Sequence, residues 1–185
     1  MNTRVKGFIY LLLSAVYFGF MPLLVKVICA DGSTIVGALF LRFALAIIPL
    51  YIYLKVRKVP IELSVEEGKK ILCVTVFGYG ITALLLYSAY DYMPSGMATV
   101  IHFGYPVFVL LGSLIFLRRR VPKLKIVCVG LCMIGIFLSY AGSGGEAKPM
   151  GFVFALISGM TYAFYILYLE VGGLQDIPAM KMIFY

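Results

Sequence analysis

Long apolar stretches, separated by short polar connections, run along the chain. A transmembrane α-helix needs about 20 consecutive, mostly apolar residues. Six stretches meet that requirement: 7–28, 34–54, 70–90, 95–117, 124–141 and 151–170. A seventh begins near Pro178 and reaches Tyr185, and the longest connection, 55–69, contains the charged start of SVEEGKK, which suits a membrane surface. The pattern predicts an all-α integral membrane protein, a multi-helix transmembrane bundle.

Composition supports the same class. Hydrophobic residues make up 63% of the chain and charged residues 13%, with a mean hydropathy of +1.03, whereas about a quarter of a soluble protein is charged. The net charge of +8 lies in short clusters between apolar runs, so the predicted partner is the lipid bilayer and not a nucleic acid. The four cysteines stand apart in the sequence, and although Cys128 and Cys132 share a helix face, no histidine or carboxylate accompanies that pair. Neither a disulfide framework, a metal site nor a cofactor is predicted.

The distribution of Lys and Arg predicts the orientation, because cytoplasmic loops carry an excess of both. One side of the membrane would hold twelve of them: Arg4, Lys6, Lys55, Arg57, Lys58, Lys69, Lys70, Arg118, Arg119, Arg120, Lys123 and Lys125. The other side would hold Lys26 and Lys148. We therefore expect a multi-pass protein of the cytoplasmic (inner) membrane with a cytoplasmic N-terminus. The first stretch is interpreted as a retained helix, since no A-x-A cleavage site follows it.

The first and sixth stretches resemble each other. From Gly7 and Gly151 onward, seven of 21 aligned positions are identical, where two unrelated apolar helices would share about 2–4. Five helices separate the start of one copy from the start of the next, so the second copy crosses the membrane in the opposite direction. The repeat is therefore predicted to be inverted, an arrangement found in many secondary transporters.

Several features, taken in chain order, resemble the EamA-type branch of the drug/metabolite transporter superfamily. They are Phe18-Gly19 and Lys26 in the first helix, Arg42-Phe43 in the second, an Ala-Leu/Tyr-rich third helix leading into SGMATVIHFGYPVF with Pro106, a fifth helix punctuated by Gly130 and Gly135, and the restart at Gly151. One departure is the loop after helix 4. It usually carries an acidic residue, but here it reads Arg118-Arg119-Arg120, which puts in doubt whatever that acidic group does in the family.

The resemblance implies a fold of ten helices in two inverted five-helix units. Residues 1–141 would form the first EamA-like unit, 142–150 a Gly-rich connecting loop, and 151–185 the truncated start of the second unit. It also implies transport of small metabolites or drugs across the cytoplasmic membrane.

Arg42 is the most informative single position. Counting from Thr34 places it about 12 Å into the second helix, close to the middle of the bilayer. A charge there costs about 2.5–3.5 kcal/mol on insertion scales. Either Arg42 lines a cavity and attracts an anionic group such as a carboxylate, or it is a structural residue satisfied by backbone carbonyls or a tyrosine.

His102 and Pro106 lie close together in the fourth helix, in TVIHFGYP. Proline removes a backbone donor and clashes with the preceding turn, so a kink is predicted at Pro106 that frees the carbonyl of His102. Histidine titrates near neutral pH, which makes a coupling proton one hypothesis. A packed or hydrogen-bonded histidine is the alternative.

Four tyrosines inside the spans are candidates for lining a substrate cavity: Tyr17, Tyr87, Tyr105 and Tyr162. Each offers a ring face and one hydroxyl, and a buried hydroxyl generally finds a partner. The alternative is that some of them only bridge helices.

The preferred interpretation is a secondary transporter, a permease or exporter of small molecules that works by alternating access. No paired intramembrane carboxylates, catalytic triad or phosphate loop is present in the sequence, so an enzyme is not expected. The alternatives are a half-size transporter completed by homodimerisation, and a non-transporting scaffold or a membrane enzyme. Twelve basic residues against two argue against dimers of opposite orientation.

Overall fold

Helices dominate the structure, and the predicted all-α, multi-helix membrane bundle is confirmed. The computed structural model describes residues 3–118, 121–142 and 148–185. Within those ranges the helices are α1 (Thr3–Ala30), α2 (Ile35–Val56), α3 (Val65–Cys73), α4 (Ile81–Ala89), α5 (Ser95–His102), α6 (Tyr105–Ile115), α7 (Lys123–Ala141), α8 (Pro149–Val171) and α9 (Ala179–Phe184). A π-helical segment, Val74–Gly80, joins α3 to α4. Arg119, Arg120 and residues 143–147 of the predicted connecting loop lie outside the described residues.

Six spans are long and apolar enough to cross a membrane, as the sequence predicts. They are span 1 (Val5–Ala30), span 2 (Ile35–Val56), span 3 (Val65–Ala89), span 4 (Ser95–Ile115), span 5 (Lys123–Ala141) and span 6 (Pro149–Val171). Spans 3 and 4 each consist of two helices, and α9 begins the seventh helical stretch.

Span 3 begins earlier than predicted, at Val65 and not near residue 70. Ser64 and Glu67 form a reciprocal cap in which the Ser64 hydroxyl accepts from the Glu67 backbone N–H at 3.2 Å. The Glu67 carboxylate in turn accepts from the Ser64 N–H at 2.8 Å. Such a pair satisfies two of the N–H groups that a helix end leaves free. The charged segment therefore forms the first turns of span 3.

Span 6 occupies the centre of the bundle. Its helix α8 packs against α4, α5, α6 and the π-helical segment, and two glycines allow neighbouring backbones to approach it closely. A Cβ on Gly78 would lie 2.9 Å from the Cβ of Tyr165, and a Cβ on Gly159 would lie 3.1 Å from the carbonyl oxygen of His102. Small residues allow helix backbones in membranes to come this close.

Spans 1, 2 and 5 lie at the periphery. In the described part of α7 no residue is buried, and most apolar side chains of α1 and α2 are exposed. Exposure of these apolar surfaces to water would be unfavourable, but the lipid tails of a bilayer are as apolar as the side chains themselves. The side-chain hydrogen bonds between spans lie where spans 2, 3, 4 and 6 meet.

Candidate substrate cavity

Arg42 holds its charge among neutral hydroxyl groups. Its Nη1 donates to the hydroxyl of Tyr87 at 2.6 Å, and its Nη2 donates to the hydroxyl of Tyr79 at 3.1 Å. The guanidinium also lies 5.6 Å from the centre of the Phe43 ring. Among the described residues, no carboxylate forms an ion pair with Arg42. The positive charge is thus hydrogen-bonded but not neutralised.

Two cavities meet at Arg42. The first, cavity 1, has a volume of about 580 Å³, and the second, cavity 2, of about 720 Å³. Both volumes fall in the range of about 300–1,000 Å³ that holds small-molecule ligands. Cavity 1 is lined by Arg42, Phe43, Ala46, Ile47, Leu50, Val74, Thr75, Tyr79, Gly80, Tyr165 and the four residues 182–185. The polar and aromatic lining of cavity 2 comprises Ser14, Phe18, Arg42, Tyr79, Thr82, Tyr87, Tyr90, Thr99, His102, Phe103, Tyr105 and Tyr162.

Cavity 2 brings together five of the six predicted lining residues: Arg42, Tyr87, His102, Tyr105 and Tyr162. Tyr17 is not brought there. It is 74% exposed on α1 and lines neither cavity described here. The difference is one of helix face: Phe18 and Gly19 line cavity 2, whereas the neighbouring Tyr17 points away from it.

His102 is buried and fixed by span 6. Its Nδ1 lies 2.9 Å from the hydroxyl of Ser158, and that hydroxyl donates its proton to the carbonyl of Ala155 at 2.6 Å. A serine hydroxyl has a single proton to donate, so Nδ1 must carry a hydrogen and donate it to Ser158. In the neutral ring the Nε2 atom is then an acceptor, and within the described part of the chain it has no hydrogen-bond partner. The bond to Ser158 therefore fixes which tautomer the neutral His102 ring adopts in cavity 2.

Span 4 is interrupted directly after His102. Helix α5 ends there, α6 begins at Tyr105, and Pro106 lies in the first turn of α6. Proline is well tolerated in a first turn, where its missing N–H has no helical partner to lose. The interruption places the carbonyl of His102 beside Gly159.

Aromatic rings continue from His102 across α8 to α2. The Tyr162 ring lies 5.3 Å from His102, 4.8 Å from Tyr105 and 5.6 Å from Tyr165. The Tyr165 ring lies 5.9 Å from that of Tyr79, which lies 6.0 Å from that of Phe43. This row gives the two cavities a continuous aromatic wall.

Sequence reasoning missed Tyr79, Tyr165 and Ser158. Tyr79 stands between two glycines, in FGYG, inside an otherwise apolar span. Ser158 is one of the identities of the internal repeat and matches Ser14. Both signals were available in the sequence, but nothing there indicated that these side chains face Arg42 and His102.

Comparisons with known proteins agree with a membrane transporter. A family model described as "EamA-like transporter family" matches residues 5–141. An "Uncharacterized transporter" of Clostridium kluyveri is 23% identical over 171 residues, which are 86% of this chain and 54% of that protein. Another, from Archaeoglobus fulgidus, is 29% identical over 149 residues, 78% of this chain and 52% of that protein. The chain thus spans about half the length of these curated relatives, and no solved structure matches it.

Proposed function

The chain belongs to the EamA-like transporter family, and we propose that it forms part of a secondary transporter that moves a small anionic molecule through cavity 2 by alternating access. The family and the six spans make it a multi-pass membrane protein of a transporter family. The substrate and the mechanism are our proposal. A gradient of protons or of the substrate would drive transport.

One observation carries this proposal: Arg42 is the sole Lys, Arg, Asp or Glu among the residues described as lining cavity 2. A cation held in an apolar environment is costly unless it is paired. Tyrosine hydroxyls solvate Arg42 without neutralising it. An entering carboxylate would accept charge-assisted hydrogen bonds from the guanidinium, so the cavity favours anions over neutral molecules of the same shape.

Uptake into proteoliposomes tests this preference. Each measurement compares a small radiolabelled carboxylic acid with its neutral amide, for example benzoate with benzamide. We expect saturable flux of at least one acid and none of its amide. Arg42→Gln should abolish the saturable flux, whereas Arg42→Lys, which keeps the charge, should retain part of it. Tyr17→Phe is the matched control, because Tyr17 lines neither cavity described here. Equal flux of acid and amide would overturn the role of Arg42, and no saturable flux in any pair would favour a scaffold.

A coupling proton at His102 is a second element of the proposal. The acceptor Nε2 lies on a residue that lines cavity 2 and has no hydrogen-bond partner in the described structure. Histidine is the side chain that changes charge between about pH 5 and 8. We expect His102→Asn to flatten the dependence of flux on external pH across that range, and a variant with unchanged pH dependence would rule the proton out.

We also propose that α8 and α9 are the first helices of a second, inverted unit. The remaining helices of that unit would belong to the same polypeptide or be supplied by the second subunit of a homodimer. Helix α9 begins 144 positions after α2, the same offset that separates Gly7 from Gly151. The length of the relatives favours the first arrangement.

Single cysteines at Ser33 and Lys58, treated with an impermeant thiol reagent on intact cells, test the proposed cytoplasmic N-terminus. Ser33 should react from outside the cytoplasmic membrane and Lys58 only after lysis.

A further inference from the structure

Cavities 1 and 2 share two lining residues, Arg42 and Tyr79, and no others among those described. These two side chains are joined by the hydrogen bond of 3.1 Å from Nη2 to the tyrosine hydroxyl. The bond therefore lies where the two cavities adjoin.

The cavities extend from this bond toward opposite ends of the bundle. Along span 3, Thr75 lines cavity 1 and Ala83 lines cavity 2, and each is four positions from Tyr79. Along span 2, the residues that follow Arg42 toward the 57–64 loop (Ala46, Ile47 and Leu50) line cavity 1. The rings of Phe43 and Tyr165 flank Tyr79 at 6.0 and 5.9 Å. Arg42 and Tyr79 thus stand between a cavity that lies toward one end of the bundle and a cavity that lies toward the other.

Tyr79 lies in the π-helical segment, where the regular backbone ladder is interrupted. The N–H of Ile81 bonds to the carbonyl of Val76, five residues back. The carbonyl of Gly78 accepts from the side-chain hydroxyl of Thr82. π-Helical turns inside α-helices occur frequently at functional sites. The Thr82 hydroxyl thus keeps the Gly78 carbonyl paired inside this irregular turn.

We propose that the Arg42–Tyr79 hydrogen bond is the partition between the two cavities, and that Tyr79 is a positioning residue whose release from Arg42 connects them. This inference rests on the proposed carrier function. An anion bound in cavity 2 competes with the Tyr79 hydroxyl for Nη2, so substrate binding and opening of the partition are linked. Tyr87 bonds the other guanidinium nitrogen from cavity 2 alone, and it holds Arg42 without separating the cavities.

Thiol labelling of the chain in membrane vesicles tests the partition without any substrate. The four native cysteines are replaced by alanine, and Thr75→Cys and Ala83→Cys serve as reporters in separate variants. The probe is sulfonatoethyl methanethiosulfonate, an impermeant anion, added to right-side-out or inside-out vesicles. With the partition intact, each reporter should react from one face, and the two reporters from opposite faces.

Tyr79→Phe removes the hydroxyl and keeps the ring. We expect it to raise the rate of labelling from the opposite face at least about tenfold, the factor expected for one hydrogen bond to a charged group. Arg42→Gln, which removes the donor, should give the same result. Tyr87→Phe is the matched control. It also takes one hydroxyl from Arg42, but it should leave the sidedness of labelling unchanged.

Equal effects of Tyr79→Phe and Tyr87→Phe would overturn the proposal, as would labelling of both reporters from both faces before any substitution. If Tyr79→Phe does not elute as a single species, the comparison of Arg42→Gln with Tyr87→Phe decides the question. A lack of saturable flux would reject the carrier function, but the labelling result would still test the partition. Retained flux with unchanged sidedness in Tyr79→Phe would reject the partition alone.

Discussion

Spans 1 and 6 start from closely similar sequences, at Gly7 and Gly151, yet they occupy opposite environments. In span 6, Ser158 is fully buried and Ala163 is 2% exposed, and Gly159 meets the broken backbone of span 4. The corresponding residues of span 1 are Ser14, Gly19 and Ala15, and all three are exposed. A Cβ added to Gly19 would meet no atom within 4 Å.

The difference shows that small residues permit close packing but do not bring it about. Span 6 is buried because α4, α5, α6 and the π-helical segment surround it. Within the described residues, span 1 has no such set of neighbours. In the proposed ten-helix arrangement, helices of the second unit would cover span 1 as those of the first unit cover span 6.

The largest expected effect comes from filling the close contact between Gly159 of span 6 and the backbone of span 4. Gly159→Leu would press a branched side chain against the carbonyl of His102, and we expect a loss of about 3 kcal/mol in the free energy of unfolding, the cost of severe overpacking. The matched control is Ala15→Leu at the repeat-related position of span 1, which should change it by no more than about 0.5 kcal/mol. The measurement is a sodium dodecyl sulfate titration in mixed micelles followed by tyrosine fluorescence. Equal losses at both positions would contradict the comparison.

An intermediate effect is expected from the buried hydroxyl. Ser158→Ala leaves Nδ1 of His102 without its acceptor at 2.9 Å, and an unsatisfied buried donor costs about 1–3 kcal/mol. Ser14→Ala, the same change in span 1, should fall within about 0.5 kcal/mol of the parent chain. The same titration checks both. A larger loss for Ser14→Ala than for Ser158→Ala would show that span 1 is covered in solution.

The smallest effect should differ in sign between the two spans. Gly19→Ala adds a methyl group in open space and improves helix propensity, so we expect a gain of up to about 1 kcal/mol. Ala163→Gly at the matching position removes a buried methyl group and should cost about 1–2 kcal/mol. Opposite signs in one titration series would sharpen the comparison, whereas two losses would mean that Gly19 is in close contact with another helix.

The six apolar spans and the location of Arg42 within the second of them followed from the sequence alone, because both depend only on hydrophobic length and on position along the chain. Arg42, His102, Tyr105 and Tyr162 were selected from the sequence because they are polar groups inside apolar spans, and all four line cavity 2. Tyr17 satisfied the same criterion and lies elsewhere, since the criterion does not say which face of a helix meets a neighbour. Tyr79 and Ser158 were missed for the same reason.

The sequence by itself determined that this chain spans a membrane, that it has six stretches long and apolar enough to do so, and that a cation lies within the second of them. These properties are local, since each follows from the cost of placing a particular segment in hydrocarbon. The tertiary structure alone decided that span 6 is central and span 1 peripheral, that Ser158 fixes the tautomer of His102, and that Tyr79 meets Arg42 between two cavities. These properties depend on which helices become neighbours, and in a bilayer that choice rests on close packing and hydrogen bonds between distant segments, which hydrophobicity along the chain does not encode.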